Sequence, residues 1–341
     1  MDESPLYSAI DLHSNNSFLT ILDEGDRVVF ERRLKNDLSE VLAALAPHRK
    51  RIVAVAVEST FNWYWLVDGL MEAGYVVPLV NTTAVQQYEG LKHTDDRHDA
   101  RWLAHLLRLG ILPVGYVMPK HVRAVRDLLR KRMRLVQQRT ANLVSVQNLV
   151  HRNEGHALTG KELRDLTVES AGARVSDPFR AKALQVSVAV IRALDEQIKD
   201  VEATVEQSLR ETPELQRLQS IWGVGRILSM TIQLETGPID RFDSPGDYAS
   251  YCRCVKSQRI SNGKVKGRGN DKCGNRYLAW AWVEAANFAT RFYPKARAFF
   301  QRKSAERNPI VARKALAHKL ARAAWHMLRS ETEFDPKRVF G

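Results

Sequence analysis

The sequence is poor in cysteine, with three among 341 residues, and an odd number supplies no disulfide framework. Cys252, Cys254 and Cys273 lie near one another, but no ligand set around them completes a zinc site, so they read as reduced thiols. No apolar run approaches the roughly 18 residues of a membrane-spanning helix. The opening MDESPLYSAID lacks the basic start and apolar stretch of a signal peptide, and cytoplasmic residence is expected. Internal repeats and low-complexity segments are also missing. Acidic residues are in short supply: 39 Asp and Glu face 52 Lys and Arg, a net charge of +13. Such a charge attracts polyanions, with nucleic acid the leading partner and an anionic membrane surface the alternative. Hydrophobic residues at 44% and charged residues at 27% exclude a disordered chain.

What is present falls into three textures. Up to about residue 110, short apolar strands alternate with helical stretches. Strands are expected at Leu6–Leu12, Phe18–Leu22, Val28–Arg33, Ile52–Val57 and Tyr75–Val80, with a polar turn at His13–Ser17. Helices are expected at Leu38–Leu45 and from about Phe61 to Ala73, where Gly74 is a natural stop. The order β-β-β-α-β-α-β-α is that of an RNase H-like domain. From Pro119, apolar residues recur at helical steps: Val122, Val125, Leu129, Met133, Val136, Leu143 and Val150, then Leu184, Val188, Ile191, Leu194, Ile198, Val201 and Val205. That pattern suits an antiparallel coiled-coil arm or an ordinary pair of amphipathic helices. After Thr212–Pro213 comes a helix–turn–helix stretch, a Gly- and Lys-rich loop over 253–276, and basic helices to about Arg329. The fold class is therefore α/β plus α, with domains over 1–115, 116–212 and 213–341.

Asp11 sits inside the apolar strand Ala9-Ile10-Asp11-Leu12, where an unpaired carboxylate is expensive to bury. Glu58 closes Val53–Val57 in the same way. Asp96 and Asp99 stand three apart, on one face of any helix that their segment opens. Four converging acids repel, and divalent cations relieve that; oxygen-only ligands favour magnesium or manganese. Taken singly, Asp11 could be a pairing residue, Glu58 a helix cap, and Asp96 and Asp99 a solvated first turn. Asp95 competes with Asp96 for the role of ligand.

Two further stretches carry chemistry. Ile221-Trp222-Gly223-Val224-Gly225 looks like a helix-hairpin-helix turn, in which Gly223 and Gly225 let backbone N–H groups approach a phosphate; a plain interhelical turn would use the same residues. Residues 253–276 hold eight Lys or Arg against one Asp, a composition suited to a nucleic-acid backbone. Ser261 lies among those cations, which could lower its hydroxyl pKa and neutralise a phosphate under attack, although serine is also an ordinary turn residue. Arg259, Lys264, Lys266, Arg268 and Lys272 are the candidates for holding phosphates. A second basic strip, Lys120–Arg139, could equally be a solvated helix face. Trp280, Trp282, Phe288, Phe292 and Tyr293 have mostly helical spacing and read as core.

Together, Asp11, Glu58 and Asp96-x-x-Asp99-Ala100 followed by a helical linker resemble the DEDD-type transposases of the insertion-sequence 110 family. Ser261-Asn262-Gly263-Lys264-Val265-Lys266-Gly267 and Lys272-Cys273-Gly274-Asn275-Arg276-Tyr277-Leu278 resemble its 1111 branch. The resemblance implies a RuvC-like N-terminal domain and a serine-bearing C-terminal transposase domain. It implies that Asp11, Glu58, Asp96 and Asp99 hold magnesium and that Ser261 attacks DNA to form a phosphoserine link. It further implies guidance by a structured (bridge) RNA from the element, donor and target DNA as substrates, and homodimers that join into tetramers with active sites composed across protomers. A bacterial, nucleoid-associated location follows. Rival readings are a RuvC-like junction nuclease using metal-activated water, and a non-catalytic nucleic-acid-binding protein. The dipeptide His98-Asp99 also permits an HD-type phosphohydrolase, but its other histidines are not apparent.

Overall fold

A computed structural model describes residues 4–85, 95–255, 258–268 and 273–341. The chain divides into two compact units, Met1–Lys120 and His121–Gly341.

The first unit is a six-stranded mixed sheet with helices on both faces. Its strands are β1 Leu6–Leu12, β2 Asn16–Leu22, β3 Val28–Lys35, β4 Ile52–Glu58, β5 Leu79–Val80 and β6 Val114–Gly115, in the spatial order β3-β2-β1-β4-β5-β6. β1 pairs antiparallel with β2 and parallel with β4, the Ile10 and Val57 positions lying side by side. Its helices are α1 Leu38–Leu45, α2 Tyr64–Glu72, the single turn α3 Thr82–Val85, and α4 Asp96–Arg108. This strand order is compatible with an RNase H-like domain.

Alternation along the strands decides what each face meets. Ile10 and Leu12 on β1 and Val55 and Val57 on β4 pack with Val41, Leu45, Leu66 and Leu70 of α1 and α2. Ala9 and Ala56 face the other way, against Leu103, Ala104 and Leu106 of α4. Alanines at these positions let α4 lie close to the sheet. Asp11 and Glu58 follow Ala9 and Ala56 by two residues, so the same parity turns both carboxylates to the α4 side. α4 is pinned by Arg101, which donates to Glu31 at 2.6 and 2.8 Å, and by Arg108, which donates to Asp26 at 2.6 and 2.7 Å.

Most expected elements are present, with two differences here. The run Tyr75–Val80 is a strand only at Leu79–Val80. The ladder does reach further, since Val55 and Val57 donate to the carbonyls of Val76 and Pro78, but Pro78 has no N–H to return a bond. The two-residue β6 is additional to the expected strands; it is too short to show a period.

The second unit is mostly helical. Two long helices, α5 Lys120–Glu154 and α8 Pro178–Ser208, flank the short α6 Gly160–Asp165 and α7 Val168–Ala173. Arg132 pairs with Glu202 at 2.6 Å and Arg139 with Asp195 at 2.8 Å, so partners rise along α5 as they fall along α8 and the helices run antiparallel. Buried Val146, Val150, Leu184, Val188 and Ile191 form a core at one end, and Leu129 and Val205 share another with the helices that follow. Those are α9 Pro213–Ser220, α10 Arg226–Thr236, α11 Pro245–Tyr251, α12 Arg276–Phe292, α13 Pro294–Glu306, α14 Pro309–Arg329 and α15 Pro336–Phe340. Their core gathers Ala281, Ala285 and Ala289 of α12 with Ala317, Ala321 and Ala324 of α14 around Trp282 and Tyr248. No described helix is long and apolar enough to cross a membrane.

The segment read as a basic loop contains a β-hairpin, β7 Gln258–Ser261 and β8 Lys264–Arg268. Asn262 (φ 51°) and Gly263 (φ 69°) form its two-residue turn. Both central residues take positive φ, the geometry of a hairpin turn for which Asn-Gly is the preferred pair. That dipeptide is the sequence signal for a hairpin.

Candidate functional site

Parallel pairing places the ends of β1 and β4 together, and the carboxylates meet there. Asp11 is only 2% exposed. Glu58, half-buried beside it, has its carboxyl pushed up to about 8, first by burial, then by its hydrogen bond with Asp11 and the charges of Asp11 and Asp99. Glu58 therefore holds its proton near neutral pH. Asp96 and Asp99 come from the first turn of α4, whose N-terminus favours acids. Asp95 is engaged elsewhere: its carboxylate caps α4, accepting from the backbone N–H of His98 at 2.8 Å.

His13, read as a turn residue, stands in the middle of this group. Its Nε2 lies 3.0 Å from Asp11 Oδ2 and 3.1 Å from Asp96 Oδ1, and the three side chains offer ligand atoms all within 4.8 Å of one another. The backbone fixes it there: its N–H donates to Asn16, and its carbonyl accepts from Asn36 at 2.9 Å and Asn62 at 3.1 Å. Neither Asp11 Oδ2 nor His13 Nε2 has an aligned hydrogen bond. On the outer side, Arg33 reaches Asp96 at 2.7 Å, and that hydrogen bond holds the Asp96 carboxyl below its ordinary range. The signal for His13 is its parity: it follows Asp11 by two residues, which continues the strand's α4-side face.

The other site candidates lie in the second unit. Ser261 is exposed and ends β7, paired with Lys264 across the turn. Lys264 and Lys266 are exposed as well. Lys272 lies outside the described residues, as do the side chains of Arg259 and Arg268. The stem of this segment is clasped: Arg253 Nε donates to the carbonyl of Gly274 at 2.8 Å, and the Asn275 N–H donates to Tyr251 at 2.6 Å. Gly274 has φ +92°, and a Cβ there would meet the Tyr251 carbonyl at 2.5 Å. Asn275 then caps α12, accepting from the N–H groups of Tyr277 and Leu278. Its Nδ2 donates to buried Glu235 at 2.7 Å, and Glu235 takes a bidentate pair of hydrogen bonds from Arg130 at 2.6 and 2.7 Å.

Of the two glycines in the turn Ile221–Gly225, Gly223 (φ +88°) is required by packing, because a side chain would run into the α12 backbone at Ala285 and Ala289. Gly225 faces open space at the start of α10. Cys252 and Cys254 are buried, and burial pushes the Cys254 thiol up to about 12; Cys273 is exposed.

Two family models match this chain. A DEDD-type IS110 model described as "Transposase" matches residues 9–152, and one described as "Transposase IS116/IS110/IS902 family" matches residues 215–301. The chain belongs to the IS110 family of transposases. It is 25% identical to a "Probable family 20 transposase" of Pseudomonas aeruginosa, over 92% of this chain and 94% of the relative. It is also 25% identical to the "Transposase for insertion sequence element IS1111A" of Coxiella burnetii, over 91% and 86%. A shorter match, 28% identical over 42% of this chain and 44% of the relative, joins it to the "Transposase for insertion sequence element IS1328" of Yersinia enterocolitica. As a transposase it is an enzyme acting on DNA, and its charge of +13 suits that substrate. The first family match contains Asp11, His13, Glu58, Asp96 and Asp99, and the second contains Ser261 and the Asn275 clasp.

Proposed function

We propose that this IS110-family transposase is an RNA-guided, site-specific DNA recombinase, in which Ser261 is the nucleophile and the carboxylate cluster is a magnesium site. The observation that carries the reading is the Asp11–Glu58 pair, Asp11 buried and Glu58 half-buried at adjacent strand ends, with Asp96 and Asp99 laid over it by α4. The donor set fits a hard divalent cation: burial, with the Asp11 and Asp99 carboxylates beside it, raises Glu58 to about 8, and Asp11 Oδ2 is buried without an aligned donor. Asp11, Glu58, Asp96 and Asp99 would hold the ion, with His13 between Asp11 and Asp96 as a further donor. Bound there, magnesium or manganese supplies the positive charge that stabilises a nucleophile and a scissile phosphate.

The chain's own residues do the rest. Glu58, protonated near neutral pH, would have to lose its proton to solvent water to serve as a ligand. Arg33 and His13, which face Asp96, keep that carboxylate ionised and oriented. Ser261 Oγ attacks phosphorus, the bond from phosphorus to the departing DNA hydroxyl breaks, and the strand stays on the protein as a phosphoserine. A free DNA hydroxyl then attacks that phosphorus and returns the serine. Lys264, Lys266, Arg259, Arg268 and Lys272 hold backbone phosphates near the hairpin. In this reading the first unit is an RNase H-like (RuvC-like) domain, the α9–α10 turn is a helix-hairpin-helix with Gly225 toward phosphate and Gly223 toward packing, and the α5–α8 pair is the coiled-coil arm through which dimers form and join as tetramers. Guidance by a bridge RNA and the serine role follow the motif resemblance, and the exposed Lys-flanked hairpin supports the latter.

The test is recombination between element-end and target DNA with magnesium, with and without the RNA flanking the element. Product is expected with wild-type protein and RNA, and none without the RNA or with Ser261→Ala. Near-normal product from Ser261→Ala would sink the serine mechanism; equal product without RNA would sink the guidance.

A further inference from the structure

We infer that the second unit has a separate nucleic-acid subsite, a cleft between α5 and α12 that takes one phosphodiester with its neighbouring base. The cleft has a volume of about 180 Å³. It is walled by Arg130, Arg134 and Gln137, one face of α5 at helical spacing, and by Arg276, Tyr277 and Trp280 at the start of α12.

The charges in this cleft are not balanced internally. Arg130 is satisfied by Glu235 and is held flat, its guanidinium 4.5 Å from the Tyr277 ring centroid. Arg134 and Arg276 have no carboxylate partner among the described residues. Arg276 donates to the Tyr277 hydroxyl at 2.8 Å and stands at the first position of α12, where the helix end is itself positive. Two uncompensated guanidinium groups at a positive helix end want an anion. The half-buried rings of Tyr277 and Trp280 add flat apolar walls on which a base can stack. An acidic protein segment would meet the cations but has no use for those rings, so a polynucleotide is the better fit. A larger cavity of about 820 Å³ beside α14 mixes Lys319, Arg322 and Arg338 with Glu333 and Asp335, and its charges largely cancel.

Position strengthens the assignment. The cleft lies directly after Asn275, the residue that clasps the end of the hairpin segment and shares Glu235 with Arg130. A strand held there would continue from the basic hairpin. The subsite requires only that the enzyme handles nucleic acid, and stands whether or not Ser261 is the nucleophile.

The test is equilibrium binding, in EDTA so that nothing turns over, of labelled single-stranded DNA and RNA of one sequence to the full chain. Arg134→Gln with Arg276→Gln, both exposed positions, should weaken binding about tenfold and reduce the salt slope by about 0.7, the share of the one phosphate held there. Trp280→Leu should weaken it at least about fivefold through lost stacking, with a thermal melt confirming that the variant folds. Loss confined to RNA would support the subsite with the guide as its occupant, and loss confined to DNA would support it with the substrate strand. Unchanged affinity and salt slope for both strands would overturn it, even if the arginine variants lost binding to polyglutamate.

Discussion

The two halves of the proposed chemistry are built in opposite ways. Asp11 and Glu58 end strands in the middle of a six-stranded sheet, and the neighbouring His13 has its backbone tied by three partners. Ser261 stands on an exposed hairpin of four- and five-residue strands, a form that is marginal by itself. Its stem is nevertheless clasped by Arg253, Gly274 and Asn275, and through Glu235 to α5. The contrast teaches where precision is needed. Several ligands sharing one ion must be held to a fraction of an ångström, which rigid strand ends provide. A nucleophile that must reach a polymer can ride on a small projection if the base of that projection is fixed.

That contrast can be broken most sharply at Asp11. Asp11→Asn should lower single-turnover DNA cleavage by about a hundred- to a thousandfold, the loss expected when a preorganised charge is removed. Above about pH 8, where Glu58 is ionised, it should also raise the melting temperature of the metal-free protein, because the repulsion with Glu58 disappears. A variant that lost activity and melted lower would show that the pair is structural.

On the hairpin side, the stem matters for folding as the tip does not. Glu235→Ala leaves Arg130 without its buried partner and should cost about 3–5 kcal/mol in denaturant unfolding. Ser261→Ala should change stability by less than about 0.5 kcal/mol, as for an exposed side chain away from the core. Equal costs at the two positions would erase the distinction between stem and tip.

The acid pair also makes a pH prediction. Glu58 has a folded pKa above its unfolded value, so its contribution to stability is full below about 4.5 and is lost as pH rises through about 8. In EDTA the melting temperature should therefore fall between pH 5 and 8, and saturating magnesium or manganese should flatten that fall. A cation that shifts nothing across this range would argue that the cluster does not bind it.

Stability also separates the two turn glycines. Gly223→Ala combines a left-handed φ with a clash on the α12 backbone and should cost about 2–3 kcal/mol or more. Gly225→Ala, in open space, should cost less than about 0.5 kcal/mol.

Much of the first unit is legible because burial on a sheet imposes a period that sequence displays. Leu6–Leu12 and Leu38–Leu45 are found with the expected bounds, and the acids that interrupt apolar strands stand out because their burial is costly. His13 escapes a reading from sequence because a polar run looks like a turn, although it keeps the parity of Asp11. The hairpin escapes it because composition, many Lys and Gly, outweighs the Asn262–Gly263 turn signal. Arg130 and Glu235 are 105 residues apart, and only folding joins them. The aromatic set reads as core throughout; Trp282 is fully buried, but Phe288 and Phe292 are 42% and 61% exposed and stack on each other, because helical spacing alone does not say which stripe of α12 faces inward.

The most direct measurement is a denaturing gel of wild-type and Ser261→Ala protein, each incubated with element-end DNA, flanking RNA and magnesium. A protein–DNA adduct is expected with wild type only, lost when EDTA replaces magnesium. Cleaved DNA without an adduct from both proteins would contradict the serine mechanism and make water, not Ser261, the nucleophile.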